Sequence, residues 1–264
     1  MSSNGAGPLI KEWRGRRRRS QLDLAVEAGV STKHLSFVET GRAKPSRELL
    51  LTLARHLEVP LRDRNSLLLA AGYAPRYHET QIDDPLSQHV RSSLERLLAT
   101  HDPYPGLVLD RQWNIVMANE GANRLVAGIP DHVQQPRPNV FRISLHPDGA
   151  AANTVNFAEW GGYMLDQLRR LVAATHDPTL IELEREVLSY PNVQALIRDS
   201  GDALQPGEPQ LLVPCRLKVG GTELSLFTML TTFGTPSDIT LDELAVELFF
   251  PADAATEAAL RAPL

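Results

Sequence analysis

The stretch Ser20–Ser46, SQLDLAVEAGVSTKHLSFVETGRAKPS, leaves the chain little conformational choice. Ser20 is a good N-cap with acidic Asp23 three residues on, and Leu22, Ala25 and Val26 recur at helical spacing until Gly29 stops the run. Ser31 then caps a second helix over Thr32–Thr40, which Gly41 ends. Ala25 is small where two helices must cross closely, and Gly29 tolerates the positive φ that so tight a turn demands. Val30, Leu35 and Val38 supply the apolar contacts that lock the pair.

The flanks read the same way. Pro8 suits a helix start, Leu9, Ile10 and Trp13 share a face, and Arg16–Arg19 close that helix with positive charge. Pro45-Ser46 opens a fourth helix, in which Leu49, Leu50, Leu53, Ala54 and Leu57 recur, and Pro60 breaks it. Arg62–Ala71 is a fifth, closed by Gly72. These signals predict an all-α domain of five helices over residues 8–75, a disordered start over 1–7 and a linker over 76–85. On the third helix Leu35 and Val38 turn inward, while Thr32, Lys33, Ser36 and Phe37 share the opposite side. A polar face at a helix start is of the kind that enters a DNA major groove. Lys33 can donate to guanine, Thr32 can meet a base edge or a thymine methyl, and Phe37 only an apolar group. The plainer alternatives are that Thr32 is helix surface and that Phe37 packs on its own domain. Charge points the same way. Residues 1–77 carry 14 Lys/Arg against 7 Asp/Glu, a net +7, and residues 78–264 carry 13 against 25, a net −12, within a total of −5. A basic end on an acidic chain is the footprint of a polyanion binder that touches its partner with one end.

This segment resembles the lambda-repressor-like, XRE-type helix-turn-helix family, whose whole signature SQLDLAVEAGVSTKHLSFVETGRAKPS covers. The resemblance implies that Gln21 hydrogen-bonds a DNA phosphate. It also implies that Ser31, Ser36, Thr40, Arg42, Lys44 and Arg47 lie where backbone contacts are made, which position the protein without reading sequence. Arg14 and Glu39 stand where relatives form a structural salt bridge. The run Arg16–Arg19 is heavier than relatives carry, and either adds phosphate contacts or is simply exposed.

Beyond residue 86 the period changes. A helix over about 86–100 precedes two strand-like runs, Leu107–Asp110 and Trp113–Ala118, and a short helix over 119–126. Longer helices are expected near 157–174, 178–189 and 191–199. Residues 210–219 and 222–233, joined at Gly220-Gly221, carry a strong hairpin signal. Residues 241–250 fit either a helix or an edge strand. The arrangement resembles the MmyB-type regulators, through RNSLLLAAGYAP at 64–75, DPYPGLVLDRQWNIVMAN at 102–119, SLHPDG at 144–149, NFAEW at 156–160 and FGTPSDITLDELAVELFFPAD at 233–253. It implies that residues 86–262 form an α+β, PAS-like ligand-binding domain, an antiparallel sheet backed by helices around an apolar cavity, with a fatty-acyl or similar ligand. Trp113, Met117, Trp160, Met164, Phe227 and Met229 are candidate pocket walls, with Arg142 and His146 to orient a polar head group. For each of them the plainer reading is ordinary core rather than ligand contact.

Other classes are disfavoured. No run of 18 apolar residues spans a membrane, the first residues lack signal-peptide order, and the lone Cys215 forbids an internal disulfide, all suiting a cytoplasmic protein. Gly-x-Ser-x-Gly, Walker and HExxH motifs are missing, so no catalytic residue and no cofactor is expected. The eight histidines, at 34, 56, 78, 89, 101, 132, 146 and 176, show no metal-ligand spacing, so no metal is expected. Cys215, in an apolar strand, reads as an inert buried thiol, with a redox switch as the alternative. The expectation is a transcription regulator that binds double-stranded DNA as a homodimer and senses a small apolar effector such as a fatty acid. The alternative is a DNA-tethered protein-interaction module without such a ligand, which a solid, cavity-free core would favour.

Overall fold

Three of the five helices of the N-terminal region begin where a capping serine puts them. The computed structural model describes residues 5–200 and 212–262. Five helices open it: α1 (Ala6–Arg16), α2 (Gln21–Glu27), α3 (Thr32–Glu39), α4 (Arg47–His56) and α5 (Leu61–Ala70). The hydroxyls of Ser20, Ser31 and Ser46 accept from the backbone N–H of Asp23, His34 and Leu49 at 3.1, 3.1 and 3.2 Å. Gly29 takes φ +67° in the turn between α2 and α3. Ile10, Leu24, Leu35, Leu53 and Leu68 are fully buried and form one core.

Two expectations change here. Residues 1–4 lie outside the described residues, but Ala6 and Gly7 are helical and buried rather than disordered. A Cβ on Gly7 would lie 2.2 Å from the Val38 carbonyl oxygen, so α1 crosses α3 at a contact only glycine permits. On α2 the buried side is Leu24 and Ala25, while Leu22 and Val26 are exposed. The α3 partner lies against the Leu24–Ala25 side, so the apolar residues four apart face solvent.

These helices belong to a unit that runs to Asp84 and takes in Gly234–Asp242. That second segment is tied within the unit. Asp238 accepts from the backbone N–H and the hydroxyl of Thr80 at 3.1 and 2.8 Å, the Ile239 N–H donates to the His78 carbonyl at 2.8 Å, and Asp242 accepts from the Leu61 N–H at 3.0 Å.

The described residues of Pro85–Phe233 and Glu243 onward form the other unit. Its chain order is α6 (Gln88–His101), β1 (Gly106–Leu109), β2 (Ile115–Ala118), α7 (Glu120–Val126), α8 (Asp131–Gln134), α9 (Val140–Leu145), α10 (Phe157–Thr175), α11 (Pro178–Leu188), α12 (Pro191–Ser200), β3 (Cys215–Val219) and β4 (Thr222–Thr232). After α13 (Ile239–Glu243), which straddles the boundary between the units, come β5 (Ala245–Pro251) and α14 (Ala254–Arg261). The five strands form one antiparallel sheet in the order β2-β1-β5-β4-β3. Gly220 and Gly221, at φ +57° and +84°, make the tight turn between β3 and β4 that requires positive φ at both positions. The start of the expected 210–219 strand lies partly outside the described residues. The architecture is thus a five-helix domain followed by an α+β domain with an antiparallel sheet, as expected.

The ambiguous stretch 241–250 resolves as the end of α13 followed by β5, and β5 is central rather than an edge. It pairs with β1 on one side and β4 on the other. Phe141, Leu145, Leu168, Leu180 and Val187 fill the core between this sheet and the helices.

Candidate functional site

The α3 helix divides its residues sharply. Leu35 and Val38 are buried, and so is Glu39, at 3% exposure. The Glu39 carboxylate accepts from Arg14 Nε and Nη2 at 2.6 and 2.9 Å and from Gln21 Nε2 at 2.7 Å. Burial pushes the Glu39 carboxyl up, but the donors from Arg14 and Gln21 together outweigh it and hold the group below its ordinary range. The Arg14–Glu39 pair is therefore scaffold, as its sequence position suggested. Gln21 has given one amide hydrogen to Glu39 and keeps a second on the same nitrogen.

On the other side of α3, Lys33 is exposed and Thr32, Ser36 and Phe37 are half-buried, with Lys33 Nζ 5.8 Å from the Phe37 ring centroid. Ser31 is occupied as the N-cap. The Thr40 hydroxyl donates to the Ser36 carbonyl at 2.7 Å. Arg42, Lys44 and Arg47 are exposed, with Lys44 Nζ lying 5.1 Å from the Tyr73 ring. Most of the run Arg16–Arg19 has structural partners. Arg16 pairs with Glu12 at 2.5 Å, Arg17 donates to the carbonyls of Leu57 and Glu58 at 2.9 Å, and Arg19 pairs with Glu27. Arg18, at φ +52°, is exposed.

In the second unit a cavity of about 160 Å³ lies between the sheet and the helices. Its walls include Leu107, Val140, Trp160, Met164, Leu217 and Phe249. Trp160 and Met164 were expected there; the other candidates lie elsewhere, for reasons of strand alternation and pairing. Leu107 and Ala118 pair across β1 and β2 and both line the cavity, so the neighbouring pair Val108–Met117 faces away from it. On β4 the buried side chains are Leu224 and Leu226, which puts Phe227 and Met229 on the opposite face. Phe227 stacks on Phe250 with centroids 5.5 Å apart, and Met229 is 58% exposed. Trp113, at φ +64°, packs on Phe141 with centroids 4.8 Å apart.

Neither candidate for orienting a head group reaches the cavity. Arg142 Nε and Nη2 donate to Glu186 at 2.7 and 2.8 Å, and Glu186 also accepts from the Tyr190 hydroxyl at 2.5 Å. His146 packs edge-on against Tyr190, and burial lowers its pKa. Its Nδ1 accepts from the Asp148 N–H at 3.0 Å, while His132 Nε2 lies 3.1 Å from Asp148 Oδ2. One ligand atom each from His132, His146 and Asp148 falls within 4.8 Å of the others. The histidines lack metal-ligand spacing along the chain, but the fold brings these three donors together, a set able to hold a divalent transition metal.

The residue that sequence reading missed is Glu247. It lies on the cavity wall in β5, 6% exposed, directly across from Leu107 on β1. Its Oε2 is buried without a hydrogen-bond partner among the described residues. Burial pushes its pKa up to about 7, against the opposing pull of a hydrogen bond from Thr228. Cys215, also on the wall, is pushed up to about 12 by burial and by the nearby Glu247 carboxyl. Such a thiol stays protonated and unreactive at neutral pH.

Comparison with known proteins fits both halves. Residues 10–63 match a helix-turn-helix family model. Uncharacterized HTH-type transcriptional regulators of Mycobacterium tuberculosis and Mycobacterium bovis are each 38% identical to this chain over 71 residues, which is 27% of this chain and 28% of the relative. The chain thus spans under a third of the length of the curated relatives it matches. Among the described residues no helix is long and apolar enough to cross a membrane. Residues 90–262 match the model of the MmyB-like transcription regulator ligand binding domain. With most of its length in that match, the chain belongs to the MmyB-like transcription regulator family.

Proposed function

We propose that this protein is a cytoplasmic, sequence-specific transcription regulator, not an enzyme, whose affinity for DNA is set by a small apolar, fatty-acyl-like effector. In this reading residues 8–75 bind double-stranded DNA, residues 86–262 bind the effector and residues 76–85 join them. The observation that carries the DNA-binding half is the division of α3. Its apolar side is buried and a basic and polar side is left open, with Arg42, Lys44 and Arg47 exposed just beyond it. Thr32, Lys33, Ser36 and Phe37 would read bases, and Gln21, Ser31, Thr40, Arg42, Lys44 and Arg47 would hold the backbone. One short helix reads too few base pairs for genomic specificity, so the active form is a homodimer on two half-sites. Selection of bound duplexes from a random DNA pool tests this. An enriched sequence with two-fold symmetry is the expected result, and binding without enrichment would refute it.

The effector half is supported by the cavity. A DNA-tethered interaction module without an effector would be expected to have a solid core, whereas this core is open among its described residues. At about 160 Å³ the space is close to a cavity of about 150 Å³ that takes one benzene ring. The effector therefore buries a group the size of one ring or a short acyl segment. The direct check is mass spectrometry of the denatured, purified protein. A stoichiometric apolar compound is the expected finding, and DNA-binding-competent protein that carries none and gains none on incubation with such compounds would contradict it.

A further inference from the structure

Among the polar side chains on the cavity wall, Gln134 donates its amide to the Ile129 carbonyl and Thr154 its hydroxyl to the Ala150 carbonyl, each at 2.9 Å. Glu247 differs. It is anchored on the central strand, more than nine-tenths buried, and its Oε2 has no partner among the described residues. A buried carboxyl oxygen without a donor loses its hydration with nothing in return, and native proteins keep few such groups without a reason. Among the described residues no Lys, Arg or His lines the cavity.

Resting on the reading of this cavity as the effector site, we propose that the effector is an apolar molecule with one hydrogen-bond-donating head group, a hydroxyl or an ammonium, which binds Glu247, and that it is not a free carboxylate. A hydroxyl would donate to Oε2 and complete its bonding. An ammonium would do the same and would draw the carboxyl into its ionised form as a compensated pair. A carboxylate head would bring a second negative charge into a space with no lining cation among the described residues, where at most one proton can be shared between the two acids. Glu247 titrates close to neutrality, so either donor meets it without first forcing a large protonation change. Acyl compounds that remain compatible are neutral ones with an N–H or O–H at the head.

The test uses the full chain at pH 7.5 and probes scaled to the cavity: hexan-1-ol, hexylammonium, hexanoate, and benzene as a probe with no head group, with binding read by calorimetry. Hexan-1-ol and hexylammonium are expected to bind at least about tenfold tighter than hexanoate. Glu247→Leu should erase that preference while benzene still binds. Glu247→Gln keeps an acceptor but loses the charge, so hexan-1-ol should be retained and hexylammonium lost, and the two wild-type affinities show which donor is preferred. Hexanoate binding as tightly as hexan-1-ol, or a preference that survives Glu247→Leu, overturns the head-group assignment and leaves the cavity standing if benzene binds. Failure of all four probes overturns the effector site itself, and this proposal with it.

Discussion

Two buried glutamates, one in each unit, have opposite surroundings. Glu39 in α3 is enclosed by donors from Arg14 and Gln21, and its carboxyl is held below the ordinary range. Glu247 in β5 has an oxygen with no partner among the described residues and a pKa near 7. The first arrangement fixes the angle between helices and leaves nothing for a ligand to do. The second leaves a demand that a ligand can meet. Burial alone therefore does not mark a functional carboxyl; the state of its partners does.

The largest effect should come from breaking the satisfied glutamate. Arg14→Ala leaves Glu39 buried with its main donor gone, and should destabilise the helical unit by roughly 3–5 kcal/mol in chemical denaturation. A loss under about 1 kcal/mol would mean that Gln21 and solvent suffice. The opposite sign is expected at the other glutamate. Glu247 is protonated in both folded and unfolded chains below about pH 4.5, so it costs nothing there. As pH rises from 4.5 through 7 the unfolded chain ionises first, and stability is lost progressively over that window. Glu247→Gln should remove the loss, raising stability at pH 8 by up to about 3 kcal/mol and hardly changing it at pH 4. Urea midpoints at the two pH values decide this, and equal gains at both would separate the effect from ionisation.

Smaller effects sharpen the DNA-binding side of the comparison. Lys33→Ala should weaken binding to a selected operator by roughly 1–3 kcal/mol while sparing non-specific DNA, as fluorescence anisotropy would read. Equal loss on both would make Lys33 a phosphate contact. Arg42→Ala should lower affinity on all sequences and reduce the slope of log affinity against log salt by about one unit. An unchanged slope removes Arg42 from the contact set.

The two units also differ in how much of them could be read in advance. The five helices follow from local signals: Ser20, Ser31 and Ser46 as caps, Gly29, Gly41 and Gly72 as stops, and leucines at helical spacing. Local chemistry decides such elements, so they survive without knowledge of the rest of the chain. The Arg14–Glu39 pair was legible only through family resemblance. In the sheet, what matters is long-range. Whether Glu247 lies on an edge or in the middle depends on β1, which is well over a hundred residues away in sequence, pairing with β5. A glutamate in a stretch ending Leu248-Phe249-Phe250 reads as the solvent side of an edge strand, because a central strand is expected to be apolar. The same holds for the cavity walls. Strand alternation on β4 puts Phe227 and Met229 on the face away from Leu226, and that phase is set by the pairing register rather than by composition. His132, His146 and Asp148 likewise meet only once the helices around α8 and α9 are folded.

The segment Gly234–Asp242 belongs to the helical unit yet leads directly into β5, which carries Glu247. A ligand that shifts β5 thus acts on a strand whose preceding residues are anchored by Thr80, His78 and Leu61. If effector and DNA binding are linked, the linkage must be reciprocal and equal in free energy. The decisive measurement is operator affinity of the full chain with and without a saturating amount of whichever probe, hexan-1-ol or hexylammonium, binds tighter. The account predicts a change in operator Kd of about fivefold or more, with the same factor appearing in probe affinity when operator is present, and no change in Glu247→Leu. An operator Kd that stays constant while the probe occupies the cavity would contradict it, because the cavity and the DNA-binding face would then be thermodynamically independent.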